Sequence, residues 1–314
     1  MRRAGPLLVV VAVTAVMLAV VGCDTAGVHA KETNNAAYTA SRRELPQANS
    51  VQLLFDGTTV SRAPQTEPSP SLVGLQARLK RATDDAAANC AALSAAVLDR
   101  NTHQLVVHGN PRIAGTASVA KLFIADDLLM QQSQSHTMPS DDDQRMLSRM
   151  LQSSDDQAAE KFWNQRGGSD IITRVATRYR LTSTGPPRDG RWWNTTSTVT
   201  DLIRYYEMLL EGSGELPAQQ AAVIIDNLAK STPRGDDGYP QRFGIPDGLP
   251  AEPVAVKQGW MCCLAGAWVH LSTGVIGEDH RYIMVVESLQ AADDATARAT
   301  ITQAVRTMFP DGRI

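Results

Sequence analysis

Ser118-Val119-Ala120-Lys121 places a hydroxyl and an amine three residues apart. On a helix that spacing puts both on one face, one turn from each other. The residues that follow (Leu122, Phe123, Ile124, Leu128, Leu129) are apolar nearly all round, the pattern of a helix inside a core. A lysine among such neighbours is expensive to bury charged. Desolvation lowers its pKa and leaves an amine base beside a hydroxyl that is a poor nucleophile unaided. The chemistry this permits is attack of Ser118 on a carbonyl. A capping serine and a solvated lysine give the same pattern by chance, so the decision falls to the elements around it.

The chain has 314 residues, 43% of them apolar and 20% charged, ordinary figures for a soluble fold of one large or two small domains. A formal charge of −3 gives no support for a nucleic-acid partner. Arg2 and Arg3 precede an apolar run from Leu7 to Val21, then Gly22 and Cys23. That is the order of a signal peptide, and the run is short for a membrane span. Val20-Val21-Gly22-Cys23 resembles the lipobox of bacterial lipoproteins, against the alternatives of a plain secretory signal or a short anchor helix. The resemblance implies a signal peptide over 1–22, acylation of Cys23, and attachment to the outer, extracytoplasmic face of the cell membrane. Residues 23–70 then form the lipid anchor and a flexible linker rich in Thr, Ser, Asn, Pro and Gln. One apolar interruption, Val51 to Phe55, is a candidate to dock on the domain. With Cys23 acylated, Cys90, Cys262 and Cys263 remain, an odd number. Either Cys90 bridges to one of the other two, or Cys262 and Cys263 bridge each other. The adjacent pair has no His or Cys at ligand spacing, so no metal site and no cofactor is expected.

Residues 71–314 read as one domain. Leu72, Leu75, Leu79 and Ala82 mark a helix over 72–89, and Ala92–Leu98 with Gln104–His108 mark a hairpin. The central helix opens at about Ser118. Ser140 caps a further helix whose first turn carries Asp141 to Asp143, where the helix dipole favours acids. Ser153-Ser154-Asp155-Asp156 is a turn before the next helix. Residues 181–197 show no regular period, and Trp192 and Trp193 read as anchors holding that loop in the core. Thr200 caps an amphipathic helix stopped by Gly212-Ser213-Gly214, and another helix covers about 217–229. Three strands follow (Val254–Val256, Ala267–Thr273, Tyr282–Glu287), then a closing helix capped by Asp293 or Asp294. His270 falls on a strand face, and no second His supports a Ser-His-Asp scheme. The expected fold class is α/β (α+β). All five strands join one antiparallel sheet, the first and last helices cover one face, and an all-helical subdomain of about 118–250 covers the other.

Three motifs now lie in order on helix, turn and strand: Ser118-Val119-Ala120-Lys121, Ser154-Asp155-Asp156 and Lys257-Gln258-Gly259. This resembles the serine β-lactamase and penicillin-binding-protein superfamily, in particular its class A branch, over about 72–314. The spacing from second to third motif fits class A, whereas that from first to second is shorter. The resemblance implies that Ser118 attacks a carbonyl, Lys121 takes its proton and Ser154 passes a proton to the leaving group. Lys257 would attract a substrate carboxylate and help to keep Lys121 neutral. The oxyanion would be held by the backbone N–H groups of Ser118 and Trp260, beside Gly259.

Three departures stand against full activity. Asp156 replaces the Asn of the second motif and could pair with Lys121, holding it charged. Gln258 replaces a hydroxyl residue of the third. The loop over 181–197 has no Glu to activate a deacylating water, Asp189 being its one acid. Efficient β-lactamase activity is therefore not expected. The chain reads either as a membrane-tethered serine acyl-transfer hydrolase of the D,D-peptidase or esterase type, with slow deacylation, or as a non-catalytic lipoprotein. The first would act on peptidoglycan-type peptide amides or other small acyl substrates. The second would use the same cleft to recognise a peptide or cell-wall ligand.

Overall fold

A computed structural model describes residues 72–314 apart from 114, 137 and 138. The expected signal peptide, Cys23, the linker and the Val51–Phe55 segment lie outside the described residues. In chain order, helix α1 (Leu75–Ala88) leads into β1 (Ala91–Asp99), β2 (Gln104–His108) and the short β3 (Arg112–Ile113). A 3-10 turn, Ala117–Ala120, runs into α2 (Lys121–Ser135), followed by α3 (Asp141–Gln152), α4 (Asp156–Gln165) and α5 (Asp170–Arg178). Then come β4 (Ser197–Thr198), α6 (Val199–Glu211), α7 (Ala218–Ala229) and the single turn α8 (Ile245–Gly248). Strands β5 (Val254–Leu264), β6 (Ala267–Ile276) and β7 (Tyr282–Gln290) precede α9 (Asp294–Met308).

The sheet is five-stranded and antiparallel, in the order β2-β1-β7-β6-β5. Tyr282 to Val286 in the central strand β7 are all buried, because both faces of the sheet are covered. That explains why this strand reads as a continuous apolar run with no alternation. One core lies between the sheet and α1 and α9, with Leu75, Leu79, Ile301 and Val305. The other lies under the helical middle, with Leu122, Phe123, Phe162 and Leu202. Each such side chain contributes about 1.5–3 kcal/mol on burial.

Local signals set most helix ends. Ser140 Oγ accepts from Asp143 N, and Asp293 Oδ1 accepts from Thr296 N. The cap of α6 is Thr198 and not Thr200: its Oγ1 accepts from Asp201 N at 3.0 Å. The threonine with an acid three residues on is the one that fits a capping arrangement. Helix α5 has no counterpart in the sequence reading. It neutralises two buried acids of α2. Arg174 grips Asp127 with two bonds of 2.8 Å, and Arg178 and Tyr179 both bond Asp126. Burying such acids without partners would cost several kcal/mol each, so α5 fixes α2 in place.

Candidate active site

Ser118 stands on the 3-10 turn, where an α-helix was expected. Ala117, just before Ser118, has φ of 45°, a left-handed conformation in which a Cβ is strained. The turn rests on β5 at Gly259. A Cβ there would lie 2.8 Å from the Thr116 carbonyl oxygen, so only glycine lets the two backbones approach. This contact sets the distance between the Ser118 turn and the Lys257 strand.

Lys121 is 0% exposed. Its Nζ is 2.9 Å from Ser118 Oγ, 2.7 Å from the Ser154 carbonyl, 3.1 Å from Ser154 Oγ and 2.5 Å from Asp156 Oδ1. Lys257, equally buried, donates to Ser154 Oγ and to the Gln258 carbonyl, both at 3.0 Å. Ser154 Oγ thus joins the two amines, and the chain Lys257–Ser154–Lys121–Ser118 is continuous. Ser154 itself is left-handed (φ 60°), at the turn before α4. Asp155 holds that turn by accepting from Gln157 N and Ala158 N and by pairing with Arg149 at 2.7 Å. The second motif is therefore also a helix cap.

Burial pushes the Lys121 amine below the ordinary lysine range, and the Asp156 carboxylate opposes it by charge and hydrogen bond. The expected pairing with Asp156 is present, but desolvation is the larger effect. Lys257 is pushed well below the ordinary range by burial first and then by the charge of Lys121, because two cations cannot readily share one hydroxyl.

Strand alternation separates the residues of the third motif. Lys257 and Gly259 face the helical layer, and Gln258 faces the other way. Gln258 Nε2 donates to the carbonyls of Gln241 and Phe243 at 3.1 and 2.6 Å. Its side chain takes no part in the cleft, and Lys257 presents no free surface to a substrate.

Ser118 opens into a cleft of about 220 Å³ whose lining includes Asp156, Trp192, Trp193, Asp237 and Trp260. Trp192 was expected only as a core anchor. It is buried, yet its ring centroid is 4.7 Å from Lys121 Nζ, so its indole covers the Lys121 amine. Asp189 is exposed, accepting from Arg191 N and Asn194 Nδ2, and does not line the cleft.

Asp237 was missed altogether. Its loop is pinned over the second motif by Asp236 N donating to the Ser153 carbonyl (2.6 Å) and by Arg149 to Asp236 (3.1 Å). Asp237 Oδ2 accepts from Trp260 Nε1 at 3.4 Å. The Trp260 ring stacks on Tyr239 at 4.7 Å, and Tyr239 Oη is 2.7 Å from His270 Nε2. His270 thus supports the cleft wall from behind. Nothing in the run Asp236-Asp237-Gly238 distinguishes it from a solvated turn. Cys262 and Cys263 bridge each other, so Cys90 pairs with neither.

No protein-family model matches the chain. Over 99% of its length it is 61% identical to the protein named lipoprotein LppW in Mycobacterium tuberculosis and in Mycobacterium bovis, covering 100% of each. Among solved structures it is similar to a β-lactamase from Chitinophaga pinensis, with a TM-score of 0.62, 12% identity, and 76% of this chain and 100% of that one covered. A class A β-lactamase from Bacteroides cellulosilyticus gives 0.62 at 13% identity, covering 75% and 97%. An ancestral class A β-lactamase gives 0.60 at 18% identity, covering 76% and 99%. At these identities the likeness establishes the β-lactamase fold.

Proposed function

As the chain belongs to the LppW family, we propose that it is a membrane lipoprotein whose β-lactamase-fold domain forms an acyl-enzyme on Ser118. Acyl chains on Cys23 hold it at the outer face of the cell membrane. The LppW name and the lipobox-like Val20 to Cys23 support this anchoring, and among the described residues no helix is long and apolar enough to cross a membrane. The observation that carries the chemistry is the buried chain Lys257–Ser154–Lys121–Ser118. Neutral Lys121 takes the Ser118 proton as Oγ bonds the carbonyl carbon of an ester or amide. The N–H groups of Ser118 and Trp260 receive the oxyanion. The proton then passes from Lys121 through Ser154 to the leaving alkoxide or amine as its bond to carbon breaks. Deacylation needs a held and activated water. The absence of a Glu in 181–197 and the indole of Trp192 over Lys121 both support a long-lived acyl-enzyme. Peptidoglycan-type peptides and small esters are the substrate classes in view, and efficient β-lactam hydrolysis is not expected.

The test is intact-mass analysis of the full chain after incubation with a fluorescent penicillin and a panel of activated esters, with Ser118→Ala as control. A Ser118-dependent adduct that persists for many minutes is expected. Absence of an adduct under every condition overturns the catalytic reading. One observation favours a second reading, a non-catalytic receptor for a peptide or cell-wall ligand: the 2.5 Å pairing of Asp156 with Lys121 holds a charge against the base. Saturable ligand binding without any adduct would select it.

A further inference from the structure

The charges that face the Ser118 cleft differ in sign from those a carboxylate-bearing substrate needs. Asp156 is 71% exposed at the side chain, and Asp237 is also exposed; both line the cleft. The cations nearest the floor, Lys121 and Lys257, are buried and engaged with Ser118, Ser154 and Gln258. Three tryptophans make up most of the remaining wall, with Met261 and Ala117 beside them. Trp192 and Trp193 meet edge to face at 5.1 Å, and Trp260 lies flat against Tyr239. The same character continues past Trp193. A neighbouring groove of about 440 Å³ shares Asp156, Trp192 and Trp193 and adds Glu160 and Asn164. Lys161 borders that groove but is paired with Asp143 at 3.0 Å, and Arg191 is matched by Asp189 at 3.9 Å. The Arg191 guanidinium carbon is 5.8 Å from the Trp193 ring centroid, so one cation already uses this aromatic surface.

A carboxylate entering here would meet Asp156 and Asp237, and among the described residues that line the cleft no exposed cation offsets them. An ammonium or guanidinium would find two carboxylates in a cleft lined by indole rings, whose π systems attract cations through the ring quadrupole. We propose that the Ser118 cleft selects cationic substrates: esters or amides whose acyl part carries an ammonium or guanidinium group, as in a peptide with a basic residue. The proposal takes its chemistry from the acyl-transfer reading above, whereas its charge selection is a property of the walls alone.

Three p-nitrophenyl esters of equal length test it on the full chain: hexanoyl, its terminally aminated analogue and its terminally carboxylated analogue. Acylation is expected to be about tenfold faster for the ammonium ester than for the neutral one and slowest for the carboxylate, an order of magnitude set by electrostatic steering and contact. The spread should narrow in about 0.5 M salt, where the Debye length shrinks to a few ångströms. Asp237→Asn should lower the ammonium-to-neutral ratio severalfold. A carboxylate ester that reacts as fast as the ammonium one, or an unchanged ratio in Asp237→Asn, overturns the proposal. If no ester reacts, the acyl-transfer reading fails, and the unreactive amides of the same three acids take over, titrated by tryptophan fluorescence. Tighter binding of the ammonium amide, reduced in Asp237→Asn, sustains the proposal; equal binding of all three overturns it.

Discussion

Asp156→Asn is the substitution that separates a restrained enzyme from a binding protein. Asp156 Oδ1 lies 2.5 Å from Lys121 Nζ, and the carboxylate stabilises the protonated amine. Asp156 is 71% exposed at the side chain, so water screens the pair strongly. With an effective dielectric between about 40 and 80, Coulomb's law at this separation gives about 2–3 kcal/mol, and the exposure favours about 2. Asparagine keeps the size and a hydrogen-bond acceptor but removes the charge. Lys121, already pushed down by burial, then loses its proton more readily. At 1.4 kcal/mol per tenfold, acylation of Ser118 near neutral pH should rise roughly ten- to thirtyfold. The sign follows from the direction of the shift. Removing an anion destabilises the cation, so the acid limb of the acylation profile moves to lower pH. Stopped-flow measurement of acylation by an activated ester, from pH 5 to 9, reads both effects. A slower reaction in Asp156→Asn would mean that the carboxylate itself takes the proton or orients the amine. An unchanged rate and profile would refute the claim that Asp156 restrains the base.

Glu287 is buried on β7, and burial raises its pKa from 4.5 to about 8. Unfolded, this group ionises near 4.5; folded, it stays protonated until about pH 8, so stability falls as pH rises between these values. Glu287→Gln should flatten that dependence and add a few kcal/mol at pH 8 relative to pH 4, as read from urea midpoints. Gly259→Ala drives a Cβ to within 2.8 Å of the Thr116 carbonyl oxygen. It should cost about 1–3 kcal/mol of stability and reduce adduct formation by displacing the Ser118 turn. Cys23→Ala should shift the expressed protein from the membrane fraction to the soluble one; retention in the membrane would count against lipid anchoring.

The strands and most helices could be read from the sequence because their determinants are local. A two-residue period, an Asp or Ser cap and a stopping Gly212 all act within one or two turns. Helix α5 could not, because its purpose is to neutralise Asp126 and Asp127, which look like exposed acids until α2 is known to be buried. The Ser118, Ser154 and Lys257 motifs were visible as short patterns, and their meeting at one hydroxyl needed the sheet register and the close approach at Gly259. The direction of Gln258 follows from strand alternation, but only once Lys257 is known to face the helical layer. Asp237 is held at the cleft by its neighbour Asp236, whose N–H donates to the Ser153 carbonyl and whose carboxylate accepts from Arg149, and no window of sequence contains both ends of those bonds.

The shared hydroxyl of Ser154 has a consequence for how the site counts protons. Two amines that meet through one oxygen do not titrate as individuals; any profile records the occupancy of the pair. A substitution at Lys257, on the far side of Ser154 from Ser118, should therefore move the same limb of the profile as a substitution beside Ser118. The charge of Lys121 already pushes the Lys257 amine down, so the two amines are coupled across that oxygen. The strand that braces the Ser118 turn at Gly259 thus also carries an amine coupled to Lys121, so the Lys257 position can tune the pair from beneath the cleft floor.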